Sequence, residues 1–148
     1  LFVFFFGLPL IGLSVEAWTA AAWSLSIYAS AFFGEIWRGS LQSVSQRQWE
    51  AGASLGLTYA QRLTYVVLPQ AVRISIAPTV GFLVQLVKNT SLTALIGFVE
   101  LTRASQIISG ATFAPLAVYL TAAVIYFAIC FSLSQFGHSL ERKLHAAR

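Results

Sequence analysis

Residues 48–70 read QWEAGASLGLTYAQRLTYVVLPQ, and this stretch decides how the rest of the chain is read. It is a long segment with the residues of a water-facing surface, set between two very apolar regions. Two pairs have the S/T-x-x-E/Q spacing, Ser45 with Gln48 and Thr58 with Gln61. Each predicts a helix start in which side chain and backbone satisfy each other. Gly56 falls where the first helix would end in a left-handed residue, a conformation that a side chain resists by about 1–2 kcal/mol. Pro69 has no N–H to give to a helix interior, so it is expected to stop or kink the second helix. The expectation is a helix from Gln46, a tight turn at Gly56-Leu57, a short helix from Tyr59, then a break. That is a two-helix knuckle.

The flanking composition says what the knuckle is mounted on. Of 148 residues, 57% are apolar and only 9% are charged, with a mean hydropathy of +0.76. Soluble domains carry roughly 25% charged residues, so the chain reads as a polytopic membrane protein. The net charge of +4 does not indicate nucleic acid, because the basic residues flank apolar segments and do not line one soluble face. Orientation in a membrane accounts for them. The chain contains no methionine and opens in mid-run with LFVFFFGLPL, so a preceding N-terminal part is expected. That opening lacks the basic region and cleavage site of a signal peptide. The single cysteine, Cys130, lies in an apolar run and reads as a small buried hydrophobe.

Taken in order, Leu1 to Ser14 is too short to span and has turn residues at Gly7-Leu8-Pro9. Ala17 to Gly34 is uncharged between Glu16 and Glu35, with Trp18, Trp23 and Trp37 towards its ends, the pattern of a transmembrane helix. Its small residues (Ala20, Ala21, Ala22, Ser24, Ser26, Ala29, Ser30) offer a face for close helix packing. Glu35 to Arg73 carries Arg38, Arg47, Arg62 and Arg73 and is cytoplasmic by the positive-inside rule. Ile74 to Val87, with Pro78 and Gly81, then Lys88-Asn89-Thr90-Ser91 and Leu92 to Val99, predict an interrupted helix with polar residues at membrane depth. Glu100, Thr102, Arg103, Ser105 and Gln106 form a polar return near the outer side. Leu116 to Phe136 is uncharged and is the clearest transmembrane segment. The tail, with Arg142, Lys143 and Arg148, is again basic and cytoplasmic.

Glu50, Ala51, Gly56, Leu68 and Pro69 stand at the spacing E-A-A-x3-G-x9-I-x-L-P. This resembles the cytoplasmic EAA loop of the membrane subunits of bacterial ABC importers. Two positions depart from it. Gly52 replaces the third-position Ala, at about 1 kcal/mol of helix propensity, and Val66 replaces the Ile with another β-branched residue. The segment KNTSLTALIGFVELTRASQ resembles the matching region of permeases for polar amino acids, where K-D/N-T-S-L and E-L-T-R recur at this separation. The similarity runs from FFGLPL through the loop to the LERKL tail. It implies an all-α transmembrane bundle of the type I ABC importer permease fold over residues 1–148, with the coupling helix-turn-helix at 45–70. It also implies a multi-pass subunit of the bacterial cytoplasmic membrane.

What the resemblance implies for single residues has a plainer reading beside it. In the family the loop docks into a groove of the ATPase subunit, where the Glu meets a basic residue. Glu50 is then a coupling residue, and truncating one side of such a pair costs about 2–5 kcal/mol. Its plainer reading is a carboxylate favoured by the helix macrodipole. Trp49, Ala53, Leu57 and Tyr59 would add apolar contact, Ala51 and Pro69 belong to the coupling set through the loop signature, and Gly56 is structural on either reading. Lys88, Asn89, Thr90 and Ser91 are candidates for the substrate path, because a cation and a broken helix at membrane depth line a cavity or meet a partner. The plainer reading is that Lys88 snorkels and the rest are satisfied helix residues. Glu100 is a candidate for an ammonium or guanidinium group and Arg103 for a carboxylate. Otherwise they form a surface ion pair worth about 0–1 kcal/mol.

Other chemistries find little support. His138 and His145 lie seven apart without a Cys or carboxylate at metal-ligand spacing. Ser134 and His138 lack a third catalytic partner. There is no GxxxxGK[ST] phosphate loop, so the chain itself is not expected to hydrolyse ATP or to bind a cofactor. The family's machine has a partner ABC ATPase that uses ATP and Mg, a second permease that is a copy or a sister, and an extracytoplasmic amino-acid-binding protein. Two other classes compete with it. An ion-coupled secondary transporter would use the broken helix but leave the knuckle unexplained. A non-transporting structural membrane subunit would leave the polar interruption unexplained.

Overall fold

Ser45 and Thr58, the two residues expected to open helices, both do so, and every regular element among the described residues is helical. The computed structural model describes residues 1–146, without the side chains beyond 142. Arg148 and the side chains of Lys143 and His145 therefore lie outside the described residues. A π-helical Val3–Gly7 runs into α1 (Leu8–Leu10), followed by α2 (Ala17–Gln42), α3 (Gln46–Ser54) and α4 (Tyr59–Gln61). Next come a π-helical Arg62–Val67, α5 (Leu68–Asn89) and a 3-10 stretch at Thr90–Ile96. Helices α6 (Leu101–Thr112) and α7 (Pro115–Ala146) complete the chain.

Three local expectations need correction. The first turn comes at Gly12 (φ +85°) rather than at Gly7-Leu8-Pro9, because Pro9 falls in the opening turn of α1, where its missing N–H is no loss. Pro69 neither stops nor breaks its helix. Ahead of it the backbone widens to the π register, in which Leu68 N–H reaches back to Leu63 O. The Gln70 side chain donates to Val66 O at 2.8 Å, so a carbonyl in the widened stretch is still met. The interruption expected at Lys88-Asn89-Thr90-Ser91 is present: α5 runs through Pro78 and Gly81, tightens to 3-10 at Thr90 and ends at Gly97 (φ +79°). Residues 101–112, read as a polar return, form helix α6.

Two helical runs are long and apolar enough to cross a membrane, Tyr59–Ile96 and Pro115–Arg142. Only 28% and 11% of their apolar windows are buried, so they are not core helices of a water-soluble fold, which would be mostly covered. Helix α2 has 26 residues, about 39 Å at 1.5 Å per residue, with alanine and serine diluting its apolar character. On α7, Leu116, Leu120, Val124, Phe127 and Phe131 are all exposed at helical spacing.

The residues divide into two compact units, Leu1–Ser30 with Leu83–Leu133, and Ala31–Phe82 with Ser134–Arg148. In the first, Ala20 and Ala21 are buried with Ile96 beneath Leu1, Phe4, Phe5, Val15, Ala17 and Phe98. The small face of α2 is thus used for close packing at its start. In the second, Val44, Val67 and Ala71 form a core under Leu41, Trp49 and Leu63. Phe82 lies between Phe32 (ring centroids 5.1 Å apart, stacked) and Phe33 (5.0 Å, edge-on). Gly137 on α7 is buried directly against Val80 on α5, where a Cβ would overlap the valine side chain.

Candidate functional site

The knuckle is built by caps. Ser45 accepts from Arg47 N–H (3.3 Å) as the N-cap of α3. The reciprocal Gln48 half of the expected capping box does not form; Gln48 N–H instead closes a turn onto Ser45 O at 2.9 Å. At Thr58 the box is complete: its hydroxyl takes Gln61 N–H (3.4 Å) and Gln61 Oε1 takes Thr58 N–H (2.9 Å). Between the two caps Gly56 sits at φ +73°, and Leu57 N–H bonds Gly52 O at 3.2 Å. This closes the turn and returns the chain beside α3.

The aromatic faces of the knuckle divide the work. Trp49 packs inward on the Val44–Val67 core and stacks on Tyr59 at 5.5 Å. Tyr59 itself remains 64% exposed. Glu50 is exposed and accepts one hydrogen bond, from Gln46 Nε2 at 3.0 Å. Ala51 and Ala53 are exposed and Leu57 is half-buried. Pro69 lies beyond, in the first turn of α5. Sequence reasoning missed Leu55 and Tyr65, 79% and 76% exposed. A Leu or Tyr at helical spacing reads as core until its facing neighbours are known.

Gly52 is buried, and the Arg62 stem crosses directly over it. A Cβ on Gly52 would stand 2.8 Å from Arg62 Cγ and 3.2 Å from Cδ. The departure from E-A-A is therefore a fit to the neighbouring π-helical stretch.

Just outside the knuckle, Glu35 and Arg38 form an exposed ion pair, with Arg38 Nε donating to Glu35 Oε2 at 2.9 Å and Nη1 to Gln42 at 3.0 Å. The hydrogen-bonded guanidinium holds the Glu35 carboxyl below the usual carboxylate range.

The second set of candidates is distributed along the first unit. Asn89 lines a cleft of about 180 Å³ together with Ser24, Tyr28, Thr93, Leu25, Leu92 and Leu1. Tyr28 and Thr93 carry no signal of this in the sequence, and Ser24 reads there only as a packing residue, because nothing in the spacing of residues ties them to Asn89. Thr90 donates to Val87 O (2.7 Å) and Ser91 to Lys88 O (2.7 Å), while Lys88 is exposed. Glu100 and Arg103 do not pair through their charged side chains. Glu100 is the N-cap of α6, its oxygens accepting from Thr102 N–H and Arg103 N–H (both 2.8 Å) and from Tyr126 O–H (3.0 Å). Arg103 Nη1 donates to Gln106 Oε1 at 3.1 Å. His138 turns Nδ1 towards Glu141 at 3.6 Å, an ion pair only when protonated.

Residues 1–146 match the family described as binding-protein-dependent transport system inner membrane component. The chain belongs to that family. Among relatives of this inner membrane component, the probable amino-acid ABC transporter permease protein YckA of Bacillus subtilis (strain 168) is 41% identical over 143 residues, covering 97% of this chain and 63% of its own length. The L-cystine transport system permease protein TcyB of the same organism is 39% identical over 145 residues, covering 97% of this chain and 62% of its own length. The glutamine transport system permease protein GlnP of Escherichia coli (strain K12) is 35% identical over 142, covering 95% and 65%. The chain thus spans a little under two-thirds of the length of these relatives. A crystal structure of an amino acid ABC transporter with histidines superposes with a TM-score of 0.90 at 32% identity, over 96% of this chain and 66% of that one. The permease fold read from the sequence, an all-α transmembrane bundle, is the fold of this inner membrane component.

Proposed function

We propose that the chain acts in a permease subunit of an ATP-driven importer that carries polar amino acids across the bacterial cytoplasmic membrane. The observation that carries this reading is the capped Gln46–Val67 knuckle, with Glu50 exposed on it, running into a helical stretch long and apolar enough to cross a membrane. The names of the relatives support the substrate class, and they differ among glutamine, cystine and unspecified amino acids. An ion-coupled transporter leaves the knuckle without a purpose, and a structural subunit leaves the polar interruption at residues 88–91 without one.

In this reading the chain binds no cofactor; ATP and Mg are used by a partner ABC ATPase. The assembly adds a second permease, either a copy or a sister, and an extracytoplasmic amino-acid-binding protein, with membrane lipid around the helices. Arg38, Arg47, Arg62 and Arg73 around the knuckle and Arg142 in the tail support a cytoplasmic side for both by the positive-inside rule.

Trp49, Glu50, Ala51, Ala53, Gly56, Leu57, Tyr59 and Pro69 form or shape the surface that seats in the ATPase. ATP binding closes the ATPase pair, carries the knuckles together and turns the transmembrane helices, so that the path opens outward to the binding protein. Hydrolysis reverses the motion. Each ligand shifts this equilibrium only by its preference between the two states. Asn89 meets the solute from its cleft. Thr90, Ser91 and Glu100, whose hydrogen bonds are met within the chain, shape the wall. Lys88 and Arg103 bring positive charge towards a substrate carboxylate.

The test is reconstitution of the full-length permease with its neighbouring ATPase in liposomes, following ATP hydrolysis as the binding protein is added with each of the twenty amino acids. Stimulation by a subset supports the reading and names the substrate. Hydrolysis indifferent to every amino acid, or no association with an ATPase, overturns it.

A further inference from the structure

Arg62 combines three features. Its stem is laid over the buried Gly52 and so has a set course. Its Nε is the buried side-chain polar atom that has no hydrogen-bond partner among the described residues. No ion pair among the described residues includes it. The Nε is too enclosed for an outside group to reach, but the two Nη nitrogens are neither bonded nor buried among the described residues, and they form an edge of the guanidinium suited to a carboxylate. The surface beside it has the make-up of a protein contact. Leu55, Tyr59 and Tyr65 are exposed on the same knuckle, and Tyr and Arg are the side chains most often found to dominate such contacts. With Arg47 and Arg62 against Glu50, residues 46–67 carry one net positive charge, which favours an acidic partner.

Resting on the importer reading above, we propose that Arg62 is a second polar anchor of the knuckle, taking an acidic side chain of the ATPase, with Gly52 the notch that lets it lie in place. Glu50 and Arg62 then offer opposite charges from one rigid turn. This defines the orientation of the docked knuckle more narrowly than either charge alone.

The experiment uses the full-length permease in nanodiscs of zwitterionic lipid and measures affinity for its ATPase at low and high salt. Arg62→Met keeps a stem over Gly52 and removes the donors; Arg62→Lys keeps the charge and removes the fork. The expected result for Arg62→Met is association weaker on the order of tenfold, with a shallower salt dependence and an unchanged unfolding midpoint. Arg62→Lys falls between the two. Wild-type affinity and salt dependence in Arg62→Met overturn the proposal, as does a loss seen only when anionic lipid is present, which would assign Arg62 to a headgroup. Failure of the wild-type permease to bind any ATPase would instead overturn the importer reading beneath it.

Discussion

Gly52 and Arg62 occupy one place: the glycine is buried under the arginine stem, and a Cβ on the first would stand 2.8 Å from Cγ of the second. Helix propensity alone favours alanine at position 52 by about 1 kcal/mol. Overpacking against a side chain held two bonds from its backbone costs about 1–3 kcal/mol. The second effect wins. Gly52→Ala is expected to lower stability by about 1 kcal/mol, visible in the unfolding midpoint of the detergent-solubilised protein. Arg62→Ala added to it should restore that midpoint. If Gly52→Ala proves neutral or stabilising, the two side chains do not compete for this space.

Gly56 tests the turn itself. At φ +73° a β-branched residue is strained by about 1–2 kcal/mol, and asparagine less. On the importer function proposed above, Gly56→Val should therefore lower amino acid uptake sharply at normal membrane levels, with Gly56→Asn retaining most of it. Equal uptake by both variants would show that the knuckle does not need this conformation.

Glu100 offers a test away from the knuckle. It caps α6 through two amides and receives Tyr126 O–H. Losing such a cap costs about 0.5–2 kcal/mol. Glu100→Ala should destabilise by that order and speed hydrogen exchange at the Thr102 and Arg103 amides. Glu100→Gln, which keeps an acceptor, should do less. Slow exchange at both amides in Glu100→Ala would remove the capping role.

Gly137 and Val80 make the corresponding test of helix packing. Gly137→Ala drives a methyl group into Val80, a change of about 1–3 kcal/mol for overpacking. Val80→Ala in the same chain should recover most of it. Thermal unfolding of the single and double variants decides, and additive losses would rule out a shared contact.

The exposed pair Glu35–Arg38 sets a pH dependence. Its hydrogen bond to Arg38 lowers the Glu35 pKa, so its contribution is present above the ordinary glutamate pKa. That contribution is lost as pH falls through the depressed folded value. Carbon-detected titration should show Glu35 titrating below the ordinary range, returning towards it in Arg38→Gln. An unmoved titration in that variant would break the link.

The knuckle is legible from residues that are close neighbours along the chain. Ser45 and Thr58 open helices, Gly56 takes the left-handed turn between them, and an apolar helical run of membrane length follows. These are local effects: caps and turns act over three or four residues, and hydropathy needs only a count. The response to Pro69 is not legible in the same way, because a proline reports a missing donor but not whether the backbone ahead of it will widen to the π register. Helix α6 opens on a local cap, Glu100 onto the Thr102 and Arg103 amides, which the S/T-x-x-E/Q spacing does not cover; the Tyr126 hydroxyl, 26 residues away, adds a contact that the sequence does not show.

The sequence by itself determined the helical class, the membrane-length segments and the two-helix turn, since each follows from periodicity, composition and short-range hydrogen bonding. Tertiary packing was needed to see that Gly52 makes room for Arg62, that Tyr126 reaches the Glu100 carboxylate, and that Asn89 shares a cleft with Ser24, Tyr28 and Thr93. Those relationships join residues through space, where packing volume and the reach of a hydrogen bond select the partner, and distance along the chain carries no information about either.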